Sequence, residues 1–145
     1  AAENITSQDD GVTLMIGVDT QVFHGVVNCG ASGAITGIGN VLPREVLLLH
    51  ALAQKAATGN AEARVRAKEL DEALWVLSTF DEGPDLVLFY KHLLTVTGDE
   101  AFRLNFYETD ELTEAQRRFA EDQLTLFQAW FADWTKQGGV IAECM

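Results

Sequence analysis
The chain has 145 residues, of which 48% are hydrophobic and 22% charged, a composition that fits an ordinary folded domain and excludes disordered and fibrous classes. A formal net charge of -12 opposes phosphate backbones and anionic lipid surfaces, so neither nucleic acid nor a membrane is an expected partner. The two cysteines, Cys29 and Cys144, lie far apart without CxxC spacing, which fits reduced thiols in the cytoplasm better than a disulfide scaffold.

The chain opens on Ala1-Ala2-Glu3-Asn4, with no initiator methionine, and reads as a fragment. No basic start with an apolar stretch marks a signal peptide, and no apolar run approaches the roughly 20 residues of a membrane helix. Val12-Thr13-Leu14-Met15-Ile16-Gly17 is a short apolar run with the length and punctuation of a buried strand. Asp19 to Asn28 follows as a short helix, with Val22, Val26 and Cys29 at helical spacing and Gly30 at its close. Gly33-Ala34-Ile35-Thr36-Gly37-Ile38-Gly39 is too rich in glycine for a helix and reads as a second buried strand. Pro43 opens a helix with an apolar face of Val46, Leu49, Leu52 and Ala53, which ends before Gly59.

The first 60 residues therefore read strand, helix, strand, helix, the pattern of parallel strands joined by right-handed crossovers. The rest reads as helical. Asn60 caps a helix whose stripe is Ala63, Ala67, Leu70, Leu74 and Leu77. Pro84 opens another, carrying Leu86, Phe89, Tyr90 and Leu93 and stopping at Gly98. The last starts at a capping box, Thr113-Glu114-Ala115-Gln116, and places Phe119, Gln123, Leu126, Phe127, Trp130 and Trp134 at helical spacing.

Three stretches carry a resemblance. Leu14-Met15-Ile16-Gly17-Val18-Asp19 resembles the seventh strand and loop of the dihydrodipicolinate synthase and N-acetylneuraminate lyase family, where a Gly-x-Asp reaches the substrate. Gly33-Ala34-Ile35-Thr36-Gly37-Ile38-Gly39-Asn40-Val41 is similar to the eighth strand of that family. Phe80-Asp81-Glu82-Gly83-Pro84 through Lys91 to Gly98 resembles the segment before its lysine-bearing tail helix. The resemblance implies an α/β fold: the C-terminal part of a (β/α)8 TIM barrel, with its last two βα units at 1–59 and a three-helix C-terminal extension at 60–145. Strands at 13–16 and 33–38 are expected to be adjacent and parallel, and the N-terminal half of the same barrel becomes an expected partner, in a homo-oligomer.

The implied chemistry is that of a class I aldolase-type lyase or deaminase. A lysine forms a Schiff base with a 2-oxo acid, and the protonated imine drains electrons from neighbouring bonds. No metal or other cofactor is expected. The resemblance places the catalytic lysine and its partner tyrosine ahead of Ala1, and Lys55, Lys68, Lys91 and Lys136, which all fall on expected helices, do not replace them; no catalytic residue is assigned within this chain. The resemblance places Gly17, Asp19 and Thr20 on the substrate side of the pocket and brings Ile35 and Gly37 to the keto-acid end. Without it, Gly17 reads as a strand terminator, Asp19 as a helix cap, and Ile35 with its glycines as packing.

Departures from the family narrow the substrate. Sialic-acid lyases resemble this stretch but carry an acid at Thr20 and a serine at Gly37, and dihydrodipicolinate synthases tend to carry a second acid at Val18. A compact, weakly polar pocket is expected instead. Together with residues 1–7 and Phe80 to Leu88, this is most similar to the branch that deaminates 4-hydroxy-1-pyrroline-2-carboxylate to 2-oxoglutarate semialdehyde and ammonia. Dihydrodipicolinate synthesis and cleavage or dehydration of a 2-keto-3-deoxy acid are the alternatives, and a non-catalytic helical binding module is the reading of another class. His24, His50 and His92 lack metal-ligand spacing. The aromatic stripe of the last helix reads as core or interface, and the Asp81-Glu82 and Asp110-Glu111 pairs as surface carboxylates at helix starts.

Overall fold
The structure, a computed structural model, describes residues 11–78, 83, 85–105, 107 and 109–145. Residues 1–7 and Phe80, Asp81, Glu82 and Pro84, which carry part of the resemblance, lie outside them.

Strand β1 (Met15–Ile16) leads through a 3-10 turn (Asp19–Gln21) into α1 (Val22–Cys29). Strand β2 (Gly33–Ala34) and a second turn (Ile38–Asn40) precede α2 (Pro43–Ala57) and α3 (Ala61–Ser78). After α4 (Leu86–Val96) and a turn (Glu100–Arg103), the chain ends in α5 (Glu114–Trp134), a turn (Thr135–Gln137) and α6 (Val140–Cys144).

The two strands are parallel, with Met15 beside Gly33 and Ile16 beside Ala34. That pair is the whole sheet among the described residues, while 71% of those residues are helical. The expected half-barrel is therefore corrected: this is a mostly helical protein with a two-stranded ribbon on one side. The reason lies just beyond Ala34, where the second strand was expected to run on to Ile38. Gly37 is instead in the right-handed helical region and Ile38 begins a 3-10 turn, because their amides are held by a carboxylate from another part of the chain. Ile35, expected inside, is 70% exposed.

Helices supply the core. Leu52, Ala53, Ala63, Ala67, Leu70, Leu77, Leu93 and Ile141 are fully buried. Alanines at the facing positions let α2 and α3 pack closely as an antiparallel pair, and α1, α5 and α6 close around them. Asn60 makes the α2–α3 turn: its Oδ1 accepts from Ala63 N at 2.9 Å. Against the other side of α1 lies β1, and Gly25 is what admits it, since a Cβ there would collide with the Ile16 side chain. The α5 capping box forms as its sequence implies, with Gln116 N donating to Thr113 Oγ1 and Gln116 Oε1 accepting from Thr113 N. No helix among the described residues is long and apolar enough to cross a membrane.

Candidate functional site
Asp19 stands at the end of the β1 loop and is only 5% exposed. Its Oδ1 accepts from Gly37 N and its Oδ2 from Ile38 N, both at 2.8 Å, and Tyr90 Oη donates to Oδ2 at 3.1 Å. One carboxylate thus ties the β1 loop, the 38–40 turn and α4 together. A buried carboxylate is tolerated because hydrogen bonds replace its water, and both of its oxygens are in use.

Beside this junction lies a cavity of about 500 Å³ between the 38–40 turn, α4 and the 100–103 turn. Gly37, Asn40, Tyr90 and Lys91 edge it, and Leu94, Phe102 and other apolar side chains form its walls. The Lys91 ammonium donates to the Leu104 carbonyl. The other three lysines pair with carboxylates: Lys55 with Glu143, Lys68 with Glu72 and Lys136 with Asp133. No carboxylate of a described residue pairs with Lys91.

Of the five residues expected to touch substrate, the structure joins Asp19 and Gly37 by a hydrogen bond, and Gly37 lines the cavity. Asp19 acts on the cavity through Gly37 and Tyr90 rather than by facing into it. Gly17 is exposed, with open space where a side chain would stand, Thr20 is half-buried in the 3-10 turn, and Ile35 points outward. None of these three is among the cavity residues.

Sequence reading missed Asn40, Tyr90 and Lys91 as neighbours of Gly37. Tyr90 and Lys91 are 53 and 54 positions from Gly37, and only the folding of α4 over the 38–40 turn brings them near. A tyrosine on an apolar helical stripe was the available signal, because its hydroxyl needs a partner when buried.

A second buried carboxylate, Asp71 of α3, accepts from Phe23 N at 3.2 Å and so serves the first turn of α1, whose Gln21 provides no side-chain cap. Burial pushes its carboxyl up to about 6, against the opposing pull of the Phe23 amide and the Lys68 ammonium. The histidines are engaged locally: His24 with Asn28 and Cys29, His50 with the Ser32 carbonyl, and His92 with Glu121. No group of three or more candidate metal ligands converges among the described residues. No protein-family model matches the chain, and comparison with curated proteins gave no match.

Proposed function
We propose that this chain forms the substrate-binding part of a Schiff-base-forming lyase or deaminase for a compact 2-oxo acid or cyclic imino acid. The observation that carries the reading is the apolar cavity that joins Gly37 to Lys91, the lysine whose charge no described carboxylate answers. A small acid fits such a space: its carboxylate meets the Lys91 ammonium, its oxo or hydroxyl oxygen meets the Asn40 amide, and its carbon skeleton lies against Leu94 and Phe102. Asp19 is a positioning residue in this scheme, holding the Gly37 backbone and the Tyr90 ring.

The reaction class rests on the sequence resemblance. For 4-hydroxy-1-pyrroline-2-carboxylate, the ring opens on the lysine, the hydroxyl leaves with a proton as water, and two waters hydrolyse the C5 imine and the C2 Schiff base, so that one water is taken up net and ammonia and 2-oxoglutarate semialdehyde are released. Lys91, held against a carbonyl, serves here as a counter-ion and not as the imine-forming amine. The two free thiols, Cys29 and Cys144, support a reducing, cytoplasmic setting.

A second reading, a binding module without chemistry, is favoured by one fact: both Asp19 oxygens are occupied, which leaves the junction no free acid or base. Turnover separates the two. The intact protein is expected to release ammonia from hydroxypyrroline carboxylate and to bind pyruvate reversibly. Robust turnover of pyruvate plus aspartate semialdehyde, or of a 2-keto-3-deoxy acid, reassigns the substrate and keeps the mechanism. Saturable binding with no turnover of any of them selects the non-catalytic module, and borohydride trapping of pyruvate on Lys91 overturns its counter-ion role.

A further inference from the structure
We infer that a second cavity, which shares Lys91 and Phe102 with the first, is a binding site for a small organic dianion. It lies between α4, the 100–103 turn and the start of α5, has a volume of about 370 Å³, and is bordered by Lys91, Arg103 and Arg117 with Leu88, Phe102 and Leu112 as apolar wall. The chain has 10 lysines and arginines against 22 aspartates and glutamates, so three cations around one cavity stand out against an acidic surface.

Their partners leave charge to spare. Arg117 Nη1 donates to the Leu112 carbonyl at 2.7 Å, and Lys91 donates to the Leu104 carbonyl. A carbonyl occupies one donor of a group that has several and neutralises none of its charge. No carboxylate of a described residue pairs with either side chain, and both are half-buried. Arg103 meets Glu100 at 3.1 Å and His92 meets Glu121 at 2.8 Å, while Glu111 is the one carboxylate among the described residues that borders the cavity itself.

Cations that no described carboxylate answers, half-buried in a recess, favour an anion, since each is poorly served by water there. The Arg117 guanidinium offers a planar fork for a carboxylate or phosphate, and Lys91 adds a point charge. The apolar wall selects an organic body over a bare ion. Two charges on the ligand match Lys91 and Arg117, the two cations that pair with no carboxylate among the described residues. If the 2-oxo acid reading of the neighbouring cavity holds, Lys91 and Phe102 border both spaces, so an anion bound here draws on the same ammonium and weakens the acid there.

The test is calorimetric titration of the whole chain at low ionic strength with inorganic phosphate and, separately, with succinate. At least one is expected to saturate at a single site, and which one does identifies the headgroup. Arg117→Gln is expected to weaken it roughly tenfold, the loss of one charged hydrogen bond. Arg103→Gln is expected to weaken it by less, because Glu100 already shares that guanidinium, and Arg117→Lys, which keeps the charge but not the planar fork, falls between the parent and Arg117→Gln. Leu94→Trp, which fills only the other cavity, leaves it unchanged. The Arg103 side chain is 73% exposed, so its variant stays folded and decides the matter even if Arg117→Gln does not. Saturation by neither anion, affinities unmoved in both arginine variants, or an equal loss in Leu94→Trp overturns the site. Loss of 2-oxo acid binding in Leu94→Trp with intact dianion binding leaves this site standing and bears on the first cavity alone.

Discussion
Asp19 and Asp71 perform the same task in two places: each buried carboxylate accepts backbone N–H groups from a turn or helix start that has no side-chain cap of its own. Removing the first is expected to be costly. Asp19→Ala removes the acceptor of the buried Ile38 amide, the part-buried Gly37 amide and one Tyr90 hydrogen bond, and urea unfolding is expected to show a loss of roughly 3 kcal/mol, with Asp19→Asn falling between the parent and Asp19→Ala because one acceptor remains. The second carries a pH signature. Its carboxyl titrates near the usual 3.8 when unfolded and at about 6 when folded, so the folded state holds the proton more tightly. Its contribution is fully present below about pH 4 and is lost as pH rises to about 6. Asp71→Asn keeps an acceptor for Phe23 N and has no proton to lose. It is therefore expected to be more stable than the parent at pH 7, on the order of 2 kcal/mol, and equal to it near pH 4. A parent that gains stability relative to the variant between pH 4 and 6 contradicts this. The Gly17-Val18-Asp19 spacing marked the first carboxylate as special but not its donors, which are 18 and 19 positions away. Asp71 gave no such mark, because Lys68-Glu69 and Glu72 around it read as an ordinary solvated stretch.

At the scale of elements, the helices were legible wherever a cap and a periodic stripe coincide, as at Asn60 with Ala63, Ala67 and Leu70, or at Thr113 with Gln116. Periodicity left the face of α5 less certain. The expected stripe included Phe119, Gln123 and Leu126, but the helix buries Ala120, Leu124, Phe127 and Trp134, and Leu126 is 64% exposed. The reason is the aromatic ladder toward its end. Phe127 and Trp134 each stack on Phe131, Trp130 stacks on Trp134, and Phe127 meets Trp130 at a tilt, with ring centroids 5.3 to 6.1 Å apart, and Trp134 Nε1 donates to Glu69, which fixes the helix rotation. Leu124→Gln is therefore expected to destabilise by roughly 3 kcal/mol and Leu126→Gln by less than about 0.5 kcal/mol, read as thermal and urea midpoints. Comparable losses at both positions contradict the rotation. The strands were the least legible elements. Glycine and β-branched residues at 33–38 satisfy a strand pattern, yet the pattern is silent about a distant carboxylate that pulls Gly37 and Ile38 into a turn.

For the whole molecule, the helical core does for the cavity what no local motif does, by setting α4 over the 38–40 turn so that Tyr90 and Lys91 meet Gly37 and Asn40. The half-barrel expectation failed at this scale, because two two-residue strands make neither the sheet nor the strand-end mouth from which the five substrate residues were expected to act. Of the five, only Gly37 lines the cavity between the 38–40 turn and α4. The central claim is that this cavity receives a compact 2-oxo acid, and amide chemical shifts of the isotope-labelled chain test it most directly during titration with pyruvate. The account predicts saturable shifts centred on Gly37, Asn40, Lys91 and Leu94, absent in Leu94→Trp. Shifts that never saturate, or that centre on Gly17, Thr20 and Ile35 instead, contradict it.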